Sequence, residues 1–468
     1  MLGRPRLLEA LPFAGLLAAC GLLFARSLET RANFDEGVYL ASLDALRHGQ
    51  ALGTEVDIPQ PPGFYVLLQA IGFVFGNSVT GVRAGFLAIA LIGLVSAYAI
   101  GRALAGRWVG LAAAAVLAIA APYPSLAAQV EADTASIVLA LGSIALLVNA
   151  RGPGLVGPAA AGALAGAAVS VKLLAATVAA PIATLLLARR SRWQATAFVA
   201  AGALVIVALL ARYAYALGEL YGSVITEHRR AQNLGPSIAD NLDRVLLHPL
   251  DWHTPAGVLV PLGLVLALVL VRRTEIAALV AWIAVSVAFL VYHRPLFDHH
   301  MVLLVTVLAT TAGTGLGVGV ARLPVRSTAA AATAVGLALV AGYAQEYRRL
   351  ARDDRPEPPE VRWAVATLRA NTRPGELVAA DLPIVPYLAD RRVPGRLIDA
   401  SYVRLRTGTL TTEEILEVLE HERIRAVLVG RSYRQKPDLI AELARRYPRR
   451  LRNRGMTLYL KPSTPPLA

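Results

Sequence analysis

The densest chemistry in the chain is Asn33-Phe34-Asp35-Glu36-Gly37-Val38-Tyr39, directly after the first apolar run. Adjacent carboxylates can take a proton from a hydroxyl or hold a cationic group. At a lipid boundary such a pair is costly unless solvated, paired or used. The bland alternative is acidic decoration of a surface loop. A second motif, Gln60-Pro61-Pro62-Gly63-Phe64-Tyr65, has two prolines that fix an extended entry to an apolar segment; alone it is a rigid helix start. Third come Glu131 and Asp133 in Gln129–Thr134, either a functional pair or a polar turn with Asp133 as helix N-cap. Fourth is Lys172, isolated in the apolar stretch Gly157–Ala188. A lone cation at membrane depth is a functional candidate, and a structural pair with Glu131 or Asp133 competes with that reading. Fifth is Tyr292–His300, with Arg294, His299 and His300. Its histidines invite a metal reading, but adjacent histidines diverge on a helix and no HExxH spacing exists. Contact with an anionic phosphate through Arg294 and the histidines is preferred.

The elements that must position these residues follow from composition. Of 468 residues, 56% are hydrophobic and 17% charged, with mean hydropathy +0.54, far from the soluble average. The single cysteine, Cys20, excludes a disulfide framework and a Cys-based zinc site. A net charge of +14 could point to nucleic acid, but from residue 346 onward lie 24 of 46 basic and 16 of 32 acidic residues. The chain reads as an apolar membrane body with a polar tail, and nucleic acid is excluded as a partner.

Apolar runs near the length of a bilayer span occur at Leu7–Leu28, Ala84–Leu104, Trp108–Ala121, Thr134–Asn149, Ala195–Leu217, Ala256–Val271, Ile276–Tyr292, Met301–Val320 and Thr328–Tyr343. Gly157–Ala188 is too long for one span. Arg151 precedes it and Arg189, Arg190 and Arg192 follow. By the positive-inside rule both its ends are cytoplasmic. A helical hairpin with Lys172 near its tip is therefore expected, for about eleven crossings. The N-terminus is then cytoplasmic and the tail extracytoplasmic, in a plasma membrane. Pro61–Gly76 is expected to lie along the interface. The outside loops are Glu29–Arg83, Glu219–Pro255 and Tyr292–His300, and chemistry is expected on that acidic, histidine-bearing face.

The expected fold is an all-α polytopic membrane body over residues 1–345, a linker over 346–360 and a small α/β domain over 361–468. In the tail, Glu376–Asp381, Ala426–Gly430 and Met456–Lys461 read as strands. Thr411 and Glu414 form a capping box opening a helix to Ile424, and Pro437 opens another. The Gly-rich Thr314–Val320 reads as small-residue helix packing.

The order and sidedness of these motifs resemble the GT-C glycosyltransferases that use polyprenyl-phosphate sugars. Protein O-mannosyltransferases, the lipid A aminoarabinose transferase and rhizobial galacturonosyltransferases are the relatives they resemble most. The resemblance covers about residues 1–345, most strongly 30–175. It implies transfer of a hexosyl or pentosyl group from a polyprenyl-phosphate donor to an extracytoplasmic hydroxyl on a lipid, glycan or protein. Asp35 matches the family's catalytic base and Glu36 its neighbour. Tyr39, Pro61, Pro62 and Tyr65 match pocket residues, Glu131 and Asp133 the second-loop acidic motif, and Lys172 the hairpin lysine. Gln60 stands where many relatives carry Lys or His. Cations available on the same face for the leaving phosphate are Lys172, Arg83, Arg294, His299 and His300. The resemblance implies no obligatory cofactor and no resident metal, and leaves a divalent cation open. A single displacement would invert the anomeric centre. The rival reading is a multi-helix transporter or lipid flippase, which should show related halves and helices broken at the midplane; no internal repeat is evident.

Overall fold

The computed structural model describes residues 4–150, 152–353 and 357–462. Arg151 and residues 354–356 of the expected linker lie outside the described residues. Contacts divide the chain into two compact units. One comprises residues 1–30, 80–212 and 236–354. The other comprises 31–79, 213–235 and 355–468. The division drawn from composition at 345 and 361 is continuous in sequence, whereas these units are not, because two polar loops pack with the tail.

The first unit is helical. Among the described residues, seven helices are long and apolar enough to cross a bilayer, Val79–Ala105, Ala132–Asn149 and Thr274–Tyr292 among them. Four other predicted crossings coincide with shorter apolar helices: Arg107–Ile119, Val156–Val171, Leu173–Arg189 and Pro255–Leu270. Large aliphatic side chains such as Val199, Leu204 and Val207 face outward, as expected where lipid replaces water. Val302–Ala321 is the central helix and is buried along almost its whole length. Its glycines permit close approach: a Cβ on Gly313 would strike the backbone of Ala112, and one on Gly315 that of Gly263. This is the small-residue packing expected of Thr314–Val320.

The chain reverses near Lys172. The helix Val156–Val171 ends there in extended backbone, and a 3₁₀ segment, Leu173–Val178, leads into Ala179–Arg189. At the far end Arg189 donates to the Leu147 carbonyl, while Gln194 donates 2.8 Å to the carbonyl of Gly152. The second arm therefore returns to where the first began, as the hairpin reading requires. Trp282 Nε1 donates 3.1 Å to Thr177 Oγ1 and ties the turn to Thr274–Tyr292.

The first half of the expected linker is helix. Val325–Asp353 runs 29 residues, because Leu350 is buried and Arg349 pairs with Glu346 one turn earlier. The next helix starts at Pro359.

In the second unit the tail forms a four-stranded sheet. The strands are β1 (Ala379–Ala380), β2 (Ala426–Val429), β3 (Arg449–Asn453) and β4 (Met456–Leu460), in the order β1-β2-β4-β3. β1 and β2 are parallel and the remaining pairs antiparallel. The first strand is much shorter than the expected Glu376–Asp381. β3 was not foreseen, because three arginines in five residues hide it. The capping box of Thr411 and Glu414 is present, opening Thr412–His421, and Pro437 opens Pro437–Arg446. Phe34–Arg47 packs on the tail helix Ile384–Leu388 so closely that a Cβ on Gly37 would lie 2.7 Å from the Ile384 nitrogen.

Candidate active-site residues in two units

The second unit holds Asp35, Glu36, Tyr39, Pro61 and Tyr65. Asn33 is the N-cap of Phe34–Arg47, its side chain accepting 2.7 Å from the Glu36 backbone N–H. Asp35 and Glu36 therefore lie in the first helical turn, where the helix dipole favours negative charge. Glu36 is fully buried and Asp35 half-buried, so Asp35 is the carboxylate with an open side. Pro61 enters extended and Pro62 occupies the first position of the helix Pro62–Phe75, the rigid helix start that the two prolines predict. Gln60, unassigned from sequence, donates 3.0 Å to the Tyr39 hydroxyl. The Tyr39 and Phe64 rings meet edge to face at 4.6 Å. These contacts lock the Pro-Pro motif to the helix that carries the acid pair, with Tyr65 buried beside Phe64.

The first unit holds Arg83, Glu131, Asp133, Lys172, Arg294, His299 and His300. Arg83 is buried and donates 2.7 Å to each of the carbonyls of Leu28 and Thr30. Two of its donors thus fix the exit of the first helix segment rather than point at solvent. Asp133 is not the N-cap, which is Glu131. The Asp133 carboxylate instead accepts Lys172 Nζ at 2.5 Å, with both side chains buried.

Both His299 and His300 reach Asp133: one ligand atom from each of the three lies within 4.8 Å of the others. The expectation that adjacent histidines diverge assumes an α-helix. Asp298–Met301 is a 3₁₀ turn, tighter per residue, and the two rings stand edge to face at 4.4 Å. The Phe297 N–H donates 3.3 Å to His300 Nδ1. The donor set of one carboxylate and two imidazoles suits a divalent cation. Asp133 Oδ1 is buried without a hydrogen-bond partner among the described residues, which fits such an ion.

The turn before these histidines is held by a helix that sequence patterning leaves inside a loop. In Ile238–Leu247, Asn241 donates to the carbonyls of Val291 and His293 at 3.2 and 2.9 Å, and Arg244 donates to Leu296 O at 2.9 Å. Half-buried Arg294 sits within the turn so held.

The second unit also contains a charge cluster that sequence spacing could not reveal. Arg404 lies 3.1 Å from Asp57 and 3.4 Å from Glu227. Burial outweighs the attraction of Arg404 and raises Glu227 from the ordinary glutamate value to about 7. Burial likewise raises Asp57.

Residues 59–215 match the family model described as dolichyl-phosphate-mannose-protein mannosyltransferase. No curated protein matches by sequence. The fold is similar to that of ArnT from Cupriavidus metallidurans in the apo state, with a TM-score of 0.68 and 16% identity over 96% of this chain and 98% of that one. The same protein bound to undecaprenyl phosphate gives 0.68 and 15%, with the same coverage. Archaeal oligosaccharyltransferase AglB from Archaeoglobus fulgidus, in complex with an inhibitory peptide and a dolichol-phosphate, gives 0.58 and 13%. That match covers 89% of this chain and 69% of that one. The resemblance to polyprenyl-phosphate-dependent GT-C glycosyltransferases read from the motifs thus holds, in fold over nearly the whole chain and in sequence over residues 59–215.

Proposed function

We propose that this chain is an integral membrane glycosyltransferase that moves a hexosyl or pentosyl group from a polyprenyl-phosphate carrier to an extracytoplasmic hydroxyl. The observation that carries this reading is the mannosyltransferase match over residues 59–215, set in a fold shared with a protein solved bound to undecaprenyl phosphate.

In the reaction, the acceptor oxygen forms a bond to the anomeric carbon while that carbon's bond to the phosphate oxygen breaks. The acceptor proton goes to Asp35, and polyprenyl phosphate leaves. Displacement in one step inverts the centre. Asp35 suits the base because it is half-buried at the helix start, with the fully buried Glu36 beside it. Lys172 and Arg294 suit the growing negative charge on the leaving group. A divalent cation would be held by Asp133, His299 and His300 and, when bound, would neutralise phosphate charge. The N-terminus is assigned to the cytoplasm and the tail to the extracytoplasmic side.

The test is sugar transfer by the purified chain from a panel of polyprenyl-phosphate sugars to washed envelope acceptors. Asp35→Asn should lower turnover about a hundredfold or more. Near-full transfer by that variant would remove Asp35 as the base.

A further inference from the structure

The tail sheet carries a second basic site, none of whose residues belongs to the constellation above. At the carboxyl end of β2 a hollow of about 460 Å³ is lined by Val429, Arg434, Asn453, Arg454 and Met456, with Arg452 on its rim strand. Three arginines converge there from different segments. Arg434 follows β2, Arg452 stands opposite Thr457 on the edge strand β3, and Arg454 sits at the tip of the β3–β4 hairpin.

The hollow is built to bring these guanidinium groups together. Arg454 and Gly455 both have positive φ, 38° and 87°, the backbone of a two-residue hairpin loop. Asn-Gly is the usual choice for that loop, and an arginine at its first position puts a cation at the tip instead. A Cβ at Gly455 would lie 3.6 Å from both Nη atoms of Arg434, so the Arg434 fork lies over the turn. No acidic residue lines the hollow. None of the three arginines forms an ion pair among the described residues, whereas Arg404, Arg445 and Arg446 all do. The carboxylates of the neighbouring helix are engaged elsewhere: Asp438 accepts the Thr412 hydroxyl, and Glu442 pairs with Arg445 and Arg446.

We infer that this hollow binds a phosphate group. Unpaired guanidinium forks match the geometry of phosphate oxygens through paired N–H donors, and Val429 and Met456 supply an apolar wall for what the phosphate is attached to. A lipid headgroup and a soluble phosphate share this chemistry. The site stands whether or not Asp35 is a base.

The test uses the full chain in neutral detergent and two probes. One is inorganic pyrophosphate; the other is phosphatidic acid in mixed micelles, with phosphatidylcholine as the blank. The double variant Arg434→Ala/Arg454→Ala should weaken binding about tenfold, the loss of one to two charge-assisted hydrogen bonds. Arg449→Ala removes an exposed charge of the same strand outside the hollow and should leave binding unchanged. All three positions are exposed, and an unchanged melting temperature shows that the variants fold. A loss with both probes supports a site for phosphate from either source, and a loss with phosphatidic acid alone supports a headgroup site. A loss with pyrophosphate alone supports a site for soluble phosphate. Unchanged binding of both probes, or an equal loss in Arg449→Ala, overturns the inference.

Discussion

Lys172 Nζ and Asp133 Oδ2 are 2.5 Å apart, thirty-nine residues distant in sequence and both buried. A buried pair of this kind stabilises only while both partners remain, since removing one leaves an uncompensated charge out of water. The pair sits where the hairpin reverses, so it couples the local backbone to the charge of the candidate site.

Lys172→Ala should therefore cost about 3–5 kcal/mol in stability and abolish transfer. Lys172→Met/Asp133→Leu together should recover most of the stability without the activity. The check is melting temperature alongside the transfer assay. Stability left intact in the single variant would show that Asp133 is already neutral there.

The two histidines give a second prediction. Asp133→Ala or His300→Ala should remove saturable binding of Zn²⁺ or Mn²⁺ by the chelator-washed protein, read by calorimetry. His253→Ala alters an exposed histidine of the same unit and should leave binding unchanged. Binding that survives Asp133→Ala would exclude the cluster as the ion's site.

Gly37 lies in the turn that carries Asp35 and Glu36, packed on the backbone of Ile384. Gly37→Val must push the two helices apart and should cost about 1–3 kcal/mol from overpacking. Because Phe34–Arg47 carries the acid pair, turnover should fall more than donor affinity does. Ile384→Ala in the same background cannot rescue it, since the obstructing atoms, the Ile384 nitrogen and Cβ, both remain in alanine.

Glu227 sets a pH dependence of unusual sign. Its value in the folded protein, about 7, lies above the ordinary 4.5, so between these values the folded state holds more protons than the unfolded one. Stability from this group is fully present below about pH 4.5 and declines as pH rises to about 7. The whole shift corresponds to about 3 kcal/mol at most. Melting curves from pH 5 to 8 should fall more steeply for the wild type than for Glu227→Gln. Parallel curves would show that Arg404 keeps Glu227 ionised throughout.

Much of the fold was legible in the chain because its signals are local. An apolar run fixes a membrane helix through the cost of unpaired backbone in lipid. Thr411 with Glu414, and Pro437, mark helix starts through hydrogen bonds made within one turn. The candidate residues were also legible, since Asp35, Glu131, Asp133 and Lys172 stand out as charges beside apolar runs.

Tertiary structure alone decided which groups meet. Sequence left Lys172 with a choice between Glu131 and Asp133, and the hairpin fold set it on Asp133. It could not show that a 3₁₀ turn aims both His299 and His300 at that carboxylate. Nor could it show that Arg404 would close on Asp57 across 347 residues. Propensity and hydrophobic period act over a few helical turns, whereas a salt bridge between distant segments depends on how whole helices and loops pack.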